Sequence, residues 1–251
     1  MTTKRLRAIL AILTAAAGLI GLPVTADAAT PVEVLQLNIC NSGVAGCYTG
    51  RALTKAVSVV TSVKPQVLSV NEACSGDVAP LQLAMGASRA VFVAAQRRDG
   101  VPVTCVNGQQ FGNILIVAEP FAGPASVTGR YAAQDTSNEM RVWACIPGGQ
   151  VSACTTHLSA RSGSTALAQC KELMATAVGY ARPTIVAGDM NLRYQGSPNV
   201  QDCNPSGFYR KGDGAVQHIF ASTGLAFVSG TKIDMAGTTD HPGWLVTTTK
   251  N

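Results

Sequence analysis

Between Val32 and Glu72 the chain reads strand, helix, strand, and no other stretch restricts the fold as much. Val32 to Leu37 alternates as a strand does and ends at Asn38. From Thr49 to Val63 the apolar residues Leu53, Val57 and Val60 recur at helical spacing, with Thr49 placed to cap the start and Pro65 to stop the run. Val67-Leu68-Ser69-Val70 is a second strand that ends at Asn71-Glu72. Two strands joined through a helix of this length run parallel in one sheet, so they finish on the same side. Asn38 and Glu72 are therefore expected as neighbours.

Further along, Val78 to Met85 predicts a short helix with Pro80 in its first turn, and Ala90 to Ala95 and Ile114 to Val117 predict a hairpin around the polar segment Gln96–Gln110. Arg97 and Arg98 in that segment suit phosphate contact, although a solvated loop tip is the commoner meaning of two adjacent arginines. Met140 to Ile146 and Val151 to Leu158 form another hairpin through Pro147-Gly148-Gly149, and its second strand carries His157 near the end. Ser164 to Val178 reads as a helix with Leu167, Leu173, Met174 and Val178 inward, and it leads into the apolar run Thr184–Gly188. There Asp189 and Asn191 stand two apart, able to project the same way from a rigid strand end, with Gly188 permitting a turn or a close approach. Alone, that pattern also describes an ordinary turn. A Gly-, Pro- and Asn-rich loop to Gly214, strands over Val216–Ser222 and Phe227–Lys232, the loop Thr238–Gly243 and a closing strand Trp244–Thr248 complete the chain.

Residues 1–28 read as a secretory leader: Lys4, Arg5 and Arg7 precede an apolar run from Ala8 to Leu22, and Ala26-Asp27-Ala28 offers small residues for cleavage after Ala28. No other stretch is long and apolar enough for stable membrane insertion. Residues 29–251 suit one domain. Without the leader, 16 basic residues face 13 acidic ones, a net charge of +3 that permits an anionic partner without demanding one. All eight cysteines fall in the exported part, an even number with no CxxC pair, which favours disulfides over zinc. Cys145 with Cys154 and Cys40 with Cys47 are the pairs expected from local loops.

Polar groups thus collect at predicted strand ends: Asn38, Glu72, His157, Asp189, Asn191, Asp240 and His241. The segments Leu35-Gln36-Leu37-Asn38-Ile39, Val70-Asn71-Glu72, Phe111-Gly112-Asn113-Ile114, Thr155-Thr156-His157-Leu158, Val186-Ala187-Gly188-Asp189-Met190-Asn191 and Thr239-Asp240-His241-Pro242 resemble, in order, the motifs of the endonuclease/exonuclease/phosphatase superfamily, the deoxyribonuclease I-like fold. The resemblance implies an α+β fold, a four-layer α/β/β/α sandwich with two packed mixed β-sheets. It also implies a monomeric, metal-dependent phosphodiester hydrolase, with Mg2+ as the ion and Mn2+ or Ca2+ as substitutes. Carried over by motif, Glu72 binds the metal with Asn38 and Asp240 beside it, Asp189 orients or deprotonates the attacking water, Asn191 holds the phosphate, and His157 and His241 flank it. Glu139-Met140-Arg141 resembles a family segment whose arginine reaches the phosphate, and a salt bridge is the other role open to Arg141. Hard oxygen ligands suit Mg2+, and amide and imidazole donors suit the charge that develops at phosphorus.

Two positions depart from the pattern. The family usually has Asp where this chain has Gln217, and that Asp pairs with the histidine of the last motif, so His241 is expected to lose a charged partner, and weaker activity or a lower pH optimum is expected to follow. Many nucleases of the family have Asp where this chain has Cys40. Nucleic acid is favoured over phospholipid as the substrate, because a lipid enzyme needs an exposed apolar or aromatic loop and aromatic residues are scarce here. Sphingomyelinase-like and phosphoinositide phosphatase-like activities share the same core, and a binding scaffold with weakened catalysis is the reading of another class.

Overall fold

The computed structural model describes residues 30–181 and 183–250; the expected leader and its cleavage point at Ala28 lie outside the described residues. Two six-stranded mixed sheets pack face to face. The first contains β1 (Thr30–Asn38), β2 (Val67–Cys74), β3 (Ser88–Ala94), β4 (Phe111–Ala118), β11 (Leu225–Ile233) and β12 (Gly243–Lys250), in the order β11-β12-β1-β2-β4-β3. The second contains β5 (Val127–Arg130), β6 (Val142–Ile146), β7 (Ser152–His157), β8 (Thr184–Asp189), β9 (Phe208–Gly212) and β10 (Gln217–Ser222), in the order β5-β6-β7-β8-β10-β9. In each sheet one central pair is parallel, β1 with β2 and β7 with β8, and the rest are antiparallel. Each parallel pair is bridged by a helix, α1 (Ala52–Val63) or α3 (Gly163–Val178), while α2 (Val78–Met85) lies between β2 and β3.

The layers follow from strand alternation. Val32, Val34, Val67 and Leu115 of the first sheet meet Ile146, Ala153, Ile185 and Ile219 of the second in a buried inter-sheet core. The opposite face of the first sheet, including Leu35, Leu37, Leu68 and Ile116, packs against α1 and α2, and that of the second, including Val186 and Phe220, against α3. This is the expected four-layer α/β/β/α sandwich. Trp244 is 8% exposed and belongs to the inter-sheet core, as a core tryptophan should.

Helix phases differ slightly from expectation. Ala52, Ala56, Val59 and Val60 form the buried stripe of α1, with Leu53 and Val57 at its margin, because the alanines let the helix approach the sheet closely. Thr49 does not cap α1: its hydroxyl donates to the Thr238 carbonyl at 2.7 Å, and the helix starts at Ala52. In α3, Ser162 supplies the cap by accepting from the Thr165 N–H at 3.2 Å, and Val178 is 51% exposed because Ala177 takes the inward position.

Four disulfides are formed. Cys40–Cys47 and Cys145–Cys154 are as expected; Cys74–Cys105 ties the end of β2 to the loop after β3, and Cys170–Cys203 ties α3 to a short 3-10 helix over Val200–Cys203.

His218 on β10 is buried, donates from Nε2 to the Leu192 carbonyl at 2.8 Å and accepts at Nδ1 from Arg210 at 3.0 Å. Burial above all depresses its pKa from 6.5 to about 4. The unfolded chain then binds a proton that the folded chain refuses between pH 6.5 and about 4. The contribution of a neutral His218 is thus complete above the unfolded value and is lost as pH falls towards the folded one, on the order of 3 kcal/mol in all. Urea midpoints measured across this window should fall with acid, and His218→Gln should flatten the profile.

Candidate active site

Both parallel strand pairs end at the same edge of the sandwich, and the polar side chains gather there. Asn38 closes β1, Glu72 lies in the irregular end of β2, His157 closes β7 and Asp189 closes β8. Glu72 has a positive φ of 56°, where the register of β2 against β4 shifts between Val70 and Ala73. The parallel register places Asn38 against Asn71 and His157 against Asp189, so each sheet delivers its groups in one row.

The groups are joined across the two sheets. Asn38 Nδ2 donates to Glu72 Oε1 at 2.9 Å and to Asp189 Oδ2 at 3.2 Å, and its Oδ1 accepts from the Cys40 N–H at 3.1 Å. Asn38 therefore clamps two carboxylates with its amide nitrogen, while its oxygen is turned to the backbone. His241 Nε2 lies 3.6 Å from Asp189 Oδ2 and 3.7 Å from Asp240 Oδ1. Gln217 pairs in register with Asp189, but its Nε2 donates to the Pro242 carbonyl and its buried Oε1 has no hydrogen-bond partner among the described residues. The amide thus makes no bond to His241; Asp189 and Asp240 face that imidazole instead.

Asn71 holds the centre of the arrangement although the sequence assigns it no role. Its Oδ1 accepts from Gln36 Nε2 at 2.8 Å and from the Asp189 N–H at 2.7 Å, and its Nδ2 donates to Asn113 Oδ1 at 2.9 Å. The available signal was an amide inside an apolar strand, where burial without partners is costly.

Arg141, His157 and Glu72 line a cleft of about 260 Å3 whose far wall is Val44, Val103 and Phe111. Arg141 Nη1 pairs with Glu139 Oε1 at 2.7 Å, so the salt bridge expected as its other role is made, and its buried Nε has no hydrogen-bond partner among the described residues. Asn191, at φ 48°, is anchored differently: its N–H donates to Asp189 Oδ1 at 3.0 Å and its Nδ2 to the Leu158 carbonyl at 2.9 Å. One amide N–H remains for a ligand.

Electrostatics separate the groups. Burial raises the pKa of Glu72, opposed by the Asn38 hydrogen bond and reinforced by repulsion from Asp189 and Asp240. Burial also raises Asp189, opposed by His241, the Asn191 N–H and Asn38. His157 is held well below its ordinary value, by burial first and then by Arg141 and His241, so it is a neutral donor or acceptor. Half-buried Glu72, raised by burial and by repulsion from its neighbours, buried Asp189, raised by burial, and exposed Asp240 are oxygen donors of the kind that suit a hard divalent cation. Cys40 and Cys47 also approach Glu72, but they are disulfide-bonded and have no thiolate to offer a softer metal.

A family model described as Endonuclease/Exonuclease/phosphatase family matches residues 35–241. The structure is similar to an endonuclease/exonuclease/phosphatase from Bacteroides vulgatus, at 15% identity over 88% of this chain and 100% of that one, TM-score 0.65. The human nocturnin catalytic domain, solved with a bound sulfate anion, is similar at 17% identity over 87% of this chain and 93% of that one, TM-score 0.66. A mannosyl-6-phosphatase from Bacteroides thetaiotaomicron VPI-5482 is similar at 11% identity over 86% and 98%, TM-score 0.65. At these identities the likeness is one of fold. No curated protein sequence matches the chain.

Proposed function

From the premise that the chain belongs to the endonuclease/exonuclease/phosphatase family, we propose that it is a secreted phosphodiester hydrolase that uses Mg2+, with nucleic acid as its substrate. Members of the family are hydrolases of phosphate esters and generally use divalent metal ions. The observation that carries the reading is the bonded series Glu72, Asn38, Asp189 and His241, which crosses from one sheet to the other beside the cleft of Arg141 and His157.

In this reading Glu72 and Asp240 would hold the cation, and Asn38 fixes the Glu72 carboxylate. The cation, when bound, neutralises the carboxylates and polarises the phosphate. Asp189 takes the proton of the attacking water, assisted by the imidazole of His241, as the P–O ester bond opposite the water breaks, and the leaving oxygen takes its proton from solvent. Neutral His157 and cationic Arg141 donate to the non-bridging oxygens, where charge develops, and the free amide N–H of Asn191 adds to them. Four disulfides suit the oxidising space outside the cell. Among the described residues no helix is long and apolar enough to cross a membrane. Val44, Val106 and Tyr48 stand exposed on the loops beside the cleft and Phe111 lines it, an apolar fringe that makes a lipid surface the second reading.

The test is cleavage of supercoiled plasmid, RNA and bis-p-nitrophenyl phosphate by the mature protein in Mg2+ or Mn2+, with and without EDTA, beside a sphingomyelin assay. His157→Ala controls for contaminating nuclease. Cleavage of none of these substrates would sink the catalytic claim; cleavage of sphingomyelin alone would reassign the substrate. Glu72→Gln should weaken Mg2+ or Mn2+ binding in calorimetry by about 100-fold, because a ligand charge is lost from a cluster that the cation must neutralise. Unchanged binding would favour a scaffold without a metal site.

A further inference from the structure

A second basic site lies on the same edge of the second sheet as the candidate catalytic groups. Arg130 ends β5 opposite Val142 of β6. Val142 precedes Trp143, which pairs with Thr156 of β7, and the next residue there, His157, pairs with Asp189 of β8. Arg130, Val142, His157 and Asp189 therefore form one cross-strand row. Three strand spacings set Arg130 about 14 Å from Asp189.

Arg130 and Arg98 line one cleft of about 590 Å3, with Gln134, Met140 and Glu172 on its wall, the Glu172 carboxylate accepting from the Ala132 N–H at 3.0 Å. Arg98 is held in place: its Nε donates to the Ser137 carbonyl at 3.1 Å and its Nη2 to the Asp135 carbonyl. Among the described residues neither guanidinium lies in a salt bridge, whereas Arg97 pairs with Asp99 and Arg141 with Glu139. Gln134 also joins this cleft to the catalytic one, since its Oε1 accepts from the Arg141 N–H at 2.8 Å and its Nε2 donates to the Arg141 carbonyl at 2.9 Å.

The geometry points to Arg98 and Arg130 as a remote phosphate subsite, which binds the backbone of a nucleic-acid strand a few nucleotides from the phosphate being cleaved. This rests on the phosphodiesterase reading and narrows its substrate to a polyanion. Successive phosphates of a strand lie farther apart than the axial rise of about 3.4 Å, so 14 Å spans fewer than about four nucleotides. A single small phosphodiester is too short to touch both places. A strand is held by its unreacting phosphates, so these contacts should govern affinity for polymers alone.

The test compares wild type with Arg130→Ala, Arg98→Ala and the double variant on two substrates. On plasmid or a 24-nucleotide strand, KM should rise about tenfold in the double variant, while hydrolysis of bis-p-nitrophenyl phosphate stays unchanged. Binding of the 24-mer in EDTA, read by fluorescence anisotropy against salt, should lose slope by about one unit per phosphate contact. Equal losses on both substrates would overturn the subsite and make the arginines structural, a result that Arg130→Ala reports independently of the loop held by Arg98. Unchanged polymer KM and salt slope would overturn it outright. Loss of binding to phosphatidylserine vesicles with DNA binding intact would overturn it in favour of a membrane surface. Wild-type activity on bis-p-nitrophenyl phosphate without DNA binding would refute the subsite and leave the phosphodiesterase reading standing.

Discussion

Asp189→Asn should lower kcat on bis-p-nitrophenyl phosphate about 1,000-fold while leaving the fold and the melting temperature nearly unchanged. The carboxylate accepts from the Asn191 N–H and from Asn38, and stands 3.6 Å from His241. An amide of the same shape cannot take a proton from water, and general-base catalysis alone contributes about 100- to 10,000-fold. Stability moves little because two effects oppose each other. The amide gives up one acceptor, which costs about 1 kcal/mol, but it also removes a charge that burial disfavours. Steady-state kinetics beside differential scanning calorimetry in EDTA separates the two quantities. A kcat within tenfold of wild type would remove Asp189 from the chemistry.

The neighbouring glycine should give the opposite result. Gly188→Ala is expected to destabilise the protein by about 3 kcal/mol or more, a fall in Tm of roughly 6–12 °C, and Gly188→Val to prevent folding. A Cβ at this position would run into the carbonyl oxygen of Thr156 on β7, directly across the parallel pair. Backbone, unlike a side chain, cannot swing aside. The glycine therefore serves the close approach of two strands rather than a turn, and that approach sets His157 beside Asp189. A Tm within 2 °C of wild type for the alanine variant, measured by circular dichroism, would show that β7 and β8 have slack.

Legibility followed burial. The strands of the two sheet centres are apolar on both faces and were readable over most of their length, and so were the helices, although alanines rotated the inward stripe of α1. The two strands that were missed, β5 and β9, are the two edges of the second sheet. Val127–Arg130 is short and mostly exposed, and Phe208–Gly212 is half-buried along its length inside a stretch rich in Gly, Pro and Asn, so neither carries a clear alternation. For the site, a chain with 14 acidic residues and three histidines made carboxylates and imidazoles at strand ends conspicuous. The amide partnerships were not legible. Asn71 as the central acceptor and Gln217 turned to the Pro242 carbonyl depend on the distances between strands of different sheets, or between a strand and a distant loop. No local pattern encodes such distances.

The disulfides carry one more consequence. Cys40–Cys47 and Cys74–Cys105 lie within the half built on the first sheet, and Cys145–Cys154 and Cys170–Cys203 within the half built on the second. Oxidation thus makes two stapled plates and leaves the seam between them unpinned. Asn38, Glu72 and His241 stand on one plate and Asp189 and His157 on the other. A slip of about 1 Å along that seam can cost roughly 100-fold in rate, yet it breaks no covalent bond. On warming, activity should vanish some degrees below the melting temperature with every staple intact, as in a hinge that loses its alignment before either leaf bends.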